Sequence, residues 1–147
     1  MLKIDKSKRI GEIGEAYVML YLIKKGIKCI KVDLSFDLVT NNGKKIEVKT
    51  SKPRKYYKAK YKKEPNIYWG GSFYNSDTYY KKGLEERYCF DFLIFVCLNN
   101  DETFNKAYVI PRKEMIDNKR TSVYISKIPN NNNHWCETYR EKWESIY

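Results

Sequence analysis

The chain has 147 residues, 29 Lys and Arg against 18 Asp and Glu, and a formal net charge of +11. That length fits one domain spanning residues 1–147, and 42% apolar residues supply one hydrophobic core. The charge excludes an acidic disordered tail and favours a polyanion as partner.

Lys8 to Lys25 reads as a helix: Ile10, Ile13, Tyr17, Leu20 and Ile23 recur near its period, with Ala16, Met19 and Leu22 widening the apolar face. Ser7 is the expected N-cap, and Gly26 the left-handed residue that ends the helix. Gly11 and Gly14 each lose about 1 kcal/mol of helix propensity against Ala, a cost that close approach to a neighbouring strand would explain. Ile27 to Val32 and Phe36 to Thr40 read as strands, followed by the hairpin signal Asn42-Gly43. Lys45 to Thr50 returns as a third strand, with Ile46 and Val48 on one face and Glu47 and Lys49 on the other.

Ile67 to Phe73 is expected as a strand with a bulge at Gly70-Gly71. Cys89 to Leu98 is nearly continuous hydrophobe, the signature of a strand buried on both faces at the centre of a sheet. Asn99-Asn100-Asp101 is a turn, Lys106 to Ile110 a strand ended by Pro111, and Arg112 to Asn118 a short helix or turn. Ser122 to Ser126 is another strand, Asn130 to Asn133 a linker, and His134 to Ile146 a closing helix on Trp135, Tyr139 and Trp143. The order gives one α/β layer structure with a mixed sheet. Cys29, Cys89, Cys97 and Cys136 have no CxxC spacing, which speaks against a zinc knuckle or disulfide scaffold and for a reducing cytoplasm. No apolar run approaches 18 residues and Met1 to Lys6 lacks a signal-peptide stretch, so no membrane partner is expected.

The positive charge is concentrated. Between Asn41 and Lys63 stand ten basic residues and one acid, Glu47, whereas the rest of the chain is close to balance. A phosphate-binding face has reason to cluster charge in this way. Lys44, Lys52, Arg54, Lys55, Lys58, Lys60, Lys62 and Lys63 form the expected backbone-contacting set, with Tyr57 and its neighbours Tyr56 and Tyr61 placed to stack on bases or bond to phosphates. The basic, tyrosine-rich stretch from about 52 to 87 is long for a connection and is the natural place for substrate-specific structure.

The informative constellation is Asp37, Glu47 and Lys49. A hairpin turning near Asn41-Asn42-Gly43 brings residues 37 and 47 opposite one another. Two facing carboxylates repel unless a cation sits between them, and oxygen ligands of this kind suit Mg²⁺, with Mn²⁺ as a substitute. Lys49 projects over the same face, where an ammonium can orient water and stabilise charge on a phosphate under attack. The Val48 carbonyl is a candidate extra ligand, and Glu15, or its neighbour Glu12, could reach over from the first helix to complete the shell.

These residues resemble the PD-(D/E)xK nuclease superfamily, which includes type II restriction enzymes, archaeal Holliday-junction resolvases and several repair nucleases. Gly11-Glu12-Ile13-Gly14-Glu15-Ala16 looks like the opening Gly-x-x-x-Glu helix of the resolvase-like branch. Asp37 matches the first motif acid, Glu47 the second, Lys49 the closing lysine and Glu15 the helix glutamate; Phe36 stands where many members carry proline. The resemblance implies a restriction endonuclease-like core, a central mixed β-sheet flanked by helices, and divalent-metal hydrolysis of DNA phosphodiester bonds, often by a homodimer. A non-catalytic nucleic-acid-binding module is the alternative; it has no use for two carboxylates beside phosphates and should bind equally well in EDTA.

Overall fold

The computed structural model describes residues 5–56, 66–72, 88–127 and 134–147. Helix α1 (Lys6–Lys24) starts two residues earlier than Ser7 would place it. Asp5 is the N-cap, its Oδ1 accepting the Ser7 backbone N–H at 2.8 Å, so Ser7 sits inside the first turn. Gly26, at φ +79°, ends the helix as expected. The buried stripe runs Ile10, Gly14, Val18, Leu22, and Leu20 and Ile23 are left 49% and 55% exposed. Ile13, Tyr17 and Met19 pack at the edge of the core, so the expected apolar face fails only at Leu20 and Ile23, the stripe being displaced toward a glycine in direct contact. A Cβ on Gly14 would fall 1.7 Å from Thr50 Oγ1, so the helix backbone lies directly on a strand there. Gly11 has nothing within 4 Å, and its helix cost has no such explanation.

Strands β1 (Cys29–Lys31), β2 (Leu38–Thr40), β3 (Lys45–Ser51), β6 (Phe92–Leu98) and β7 (Phe104–Pro111) form one five-stranded sheet in the order β1-β2-β3-β6-β7. All pairs are antiparallel except β3 with β6, which makes the sheet mixed. A parallel pair requires a crossover, and here it carries β4 (Arg54–Tyr56) and β5 (Asn66–Ser72). These join β8 (Ser122–Ser126) in a second antiparallel sheet ordered β4-β5-β8. A short helix α2 (Arg112–Asp117) follows β7.

The five-stranded sheet buries both faces. Under α1 lie Leu38, Ile46, Val48, Ile94 and Val96, closed at one end by Trp143 and Ile146. On the other face, Leu93, Phe95 and Cys97 meet Trp69, Val123 and Ile125 of the small sheet. Strand β6 is therefore buried at every position, as its unbroken hydrophobicity requires. Among the described residues no helix is long and apolar enough to cross a membrane, and all four cysteines are thiols.

Two expectations need correction. Gly70-Gly71 makes no bulge: β5 pairs with β8 in unbroken register from Tyr68↔Ser126 to Ser72↔Ser122. Gly70 instead makes room for the Tyr68 and Tyr124 rings, and a Cβ on Gly71 would contact Phe95. Nor is the C-terminal segment one helix. It forms two 3₁₀ turns, His134–Tyr139 and Trp143–Ile146, broken at Glu141, whose φ is +53°. Glu141 donates its N–H to the Ala107 carbonyl and accepts the Ala107 N–H on its carboxylate, at 2.9 and 2.7 Å. The segment thus hydrogen-bonds to the free edge of β7 instead of continuing a helical ladder. The Asn130 to Asn133 linker, like most of the 52–87 stretch, lies outside the described residues.

Candidate active site

The β2–β3 hairpin turns at Asn42-Gly43, where Gly43 adopts φ +82° and donates its N–H to the Thr40 carbonyl at 2.9 Å. The pairing Val39↔Lys45 and Leu38↔Ile46 ends one step short of residues 37 and 47. Asp37 donates its N–H to the Ile46 carbonyl at 2.9 Å and then leaves the ladder. Strand β3 runs on without it, so Val48 has no β2 partner. The Asp37 carboxylate takes that place, with Oδ2 accepting the Val48 N–H at 2.8 Å. In an antiparallel pair a residue's N–H and C=O point to the same edge, so the Val48 carbonyl opens into the same notch.

Glu47 and Lys49 lie on the face away from α1, across from Leu93 and Phe95. Lys49 Nζ is 3.0 Å from Glu47 Oε1, and the Glu47 side chain is only 16% exposed. The Glu47 carboxyl titrates above the usual glutamate range. Burial is the main cause; the negative charges of Asp37 and, least, Glu15 add to it, while Lys49 opposes it. Asp37, Glu47 and Lys49 are thus one electrostatic unit. Glu15 is held to one side: it comes from α1, over the opposite face, and Lys31 Nζ lies 2.9 Å from its Oε2. Lys31 is raised in pKa by Glu15 first and more weakly by Glu12 and Asp37. Lys31 is thus the cation partner of Glu15. The sequence reading has no place for it, although the strand period alone puts residue 31 in the row of Leu38 and Ile46, under α1.

Among the described residues no group of three or more His, Cys, Asp or Glu side chains is arranged to hold a metal ion. The nearby donors are all oxygen: the Asp37 carboxylate and the Val48 carbonyl at the edge of β3, and the Glu47 carboxylate on the adjoining face. That set fits Mg²⁺, which commonly keeps several waters and takes one or two protein carboxylates.

A cleft of about 680 Å³ opens where β3 ends. Asp5, Lys6, Ser7 and Ile10 of the α1 start line one wall, and Thr50 to Arg54 with Asn100 the other. Lys52 of its lining lies 3.6 Å from the Glu102 carboxylate, which also takes Arg9 in a two-pronged bond. The cleft begins one residue past Lys49, and neither Asp37 nor Glu47 lines it. Arg54 and Lys55 are exposed on β4, and Lys44 is half-buried in the hairpin. Tyr57, Lys58, Lys60, Lys62 and Lys63 lie outside the described residues.

No protein-family model matches this sequence, and no curated protein matches it either. Among solved structures the chain is similar to a bacterial homing endonuclease, I-Ssp6803I. The match has a TM-score of 0.59 at 20% identity and covers 97% of this chain and 92% of that one. The likeness is one of fold: an α/β architecture with a central mixed sheet flanked by helices, matching a restriction-endonuclease-like core.

Proposed function

We propose that this chain is a divalent-metal-dependent endonuclease that hydrolyses DNA phosphodiester bonds, with Asp37, Glu47 and Lys49 at its centre. The observation that carries this reading is the notch where β3 outruns β2. Asp37 caps the Val48 N–H there, and the neighbouring Glu47 is half-neutralised by Lys49. The nuclease-like fold and the concentration of positive charge after β3 support it.

Asp37, Glu47 and the Val48 carbonyl would hold the cation, which supplies Lewis acidity to the scissile phosphate when bound. Lys49 donates hydrogen bonds that orient the attacking water, and its charge offsets the negative charge growing on the phosphate oxygens. Glu15 keeps Lys31 beside the acids and so sets their local field. Lys6 and Lys52 hold the phosphate backbone along the cleft past β3.

Digestion of plasmid and branched DNA in Mg²⁺ or Mn²⁺, with wild type beside Glu47→Ala and Lys49→Ala, tests this reading. Cleavage by wild type alone is expected; equal products from all three would overturn it. A second reading has one observation in its favour: Glu47 and Glu15 already carry lysine partners without a metal. A non-catalytic binding module of that kind would retain DNA equally in Mg²⁺ and EDTA and cut nothing.

A further inference from the structure

The small sheet has two unlike faces. Inward, Trp69, Val123 and Ile125 are 4%, 1% and 2% exposed, and the Trp69 indole N–H donates to the Leu98 carbonyl at 2.8 Å. Outward, the register lines up Arg54, Tyr68 and Ser126 in one row and Gly70 with Tyr124 in the next. The Tyr68 and Tyr124 rings stack at 4.5 Å, and a Cβ on Gly70 would stand 3.4 Å from each of them. Gly70 therefore keeps the outer surface flat. Ser72 and Ser122 continue it as exposed hydroxyls.

None of the three strands contains an acidic residue, whereas β4 brings Arg54 and Lys55 out of the basic stretch. A sheet face that only meets water carries charges of both signs. Among the described residues this one offers a guanidinium, hydroxyls and aromatic edges, and its three strands bring no carboxylate to repel phosphate.

We propose that the outer face of β4-β5-β8 is a reading surface for the major groove of duplex DNA. Three strands at a spacing of about 4.8 Å are roughly 10 Å across, which suits a groove about 12 Å wide. Arg54 matches the paired acceptors of guanine, and the serine and tyrosine hydroxyls can donate or accept at either base-pair edge. The Ser51 hydroxyl accepts the Gly70 N–H at 3.2 Å, tying this face to the strand that carries Glu47 and Lys49. The proposal rests on the nuclease reading and gives it a sequence-selective duplex as substrate.

The test is a binding selection from a library of randomised duplexes, using the full chain carrying Glu47→Ala so that no duplex is cut. Arg54→Gln, Tyr68→Phe and Ser122→Ala are then added one at a time, with thermal unfolding confirming an unchanged fold. An enriched sequence set is expected, and each added substitution should lose about ten-fold discrimination at one or two base positions. No enrichment, or the same set from every variant, would overturn the proposal. Wild type is assayed for cleavage alongside. Cleavage without enrichment defeats the reading surface and leaves the nuclease; enrichment without cleavage does the reverse.

Discussion

Strands β3 and β6 lie side by side, parallel and seven residues long, yet they do opposite things. Every residue of β6 is buried, because β3 and β7 cover both its edges and α1 and the small sheet cover both its faces. Strand β3 alternates buried and half-buried residues, and its other neighbour, β2, is only three residues long. Past Ile46 one edge of β3 therefore has no strand against it, and Asp37 and Val48 meet there. Polarity here follows from what flanks a strand more than from where the strand sits in the sheet.

The largest effect should come from the open edge. Glu47→Ala and Lys49→Ala are each expected to lower cleavage by about 10³-fold or more while the fold survives, measured as initial rates on supercoiled DNA. Glu15→Ala should lower it less, yet more than Glu12→Ala, because Glu15 is the partner of Lys31; the reverse order would move the helix contribution to Glu12.

On the closed strand the loss should be one of stability. Ile94→Ala, at a fully buried position, is expected to cost about 2–5 kcal/mol in denaturant unfolding. An effect below 1 kcal/mol would mean that β6 is not the packed centre described. Gly14→Ala probes the contact of α1 with β3 and is expected to cost about 1–3 kcal/mol, since the new methyl meets Thr50 and overcomes the gain in helix propensity. Adding Thr50→Ala should recover much of that loss.

The smallest effect has the opposite sign. The folded-state pKa of Glu47 lies above the ordinary value of 4.5, so the folded chain holds that proton more tightly than the unfolded one. The stability this gives is fully present below the unfolded pKa and disappears as pH rises through the folded one. Glu47→Gln should therefore raise the unfolding midpoint at neutral pH in the absence of divalent ions and flatten its dependence on pH above 4.5. A fall in midpoint would mean that the Lys49 ion pair outweighs burial.

Much of this architecture is legible in the residues. The hairpin, β6 and β8 follow from turn chemistry and the two-residue period, which act locally. The errors arise where a distant contact decides. The α1 stripe is displaced because Gly14 packs by lacking a side chain, which no apolar pattern registers. The closing segment breaks because Glu141 bonds to β7, some thirty residues away in the chain. Lys31 pairs with Glu15 across the gap between β1 and α1, a contact that neither segment announces by itself.

The parallel pairing of β3 with β6 also sets an order of assembly. The β2–β3 hairpin is local and can form within microseconds, whereas joining Ser51 to Cys97 must close a long intervening chain first. In refolding, the acids should find each other early, and protection of the β6 amides from solvent exchange should arrive as a later, slower phase.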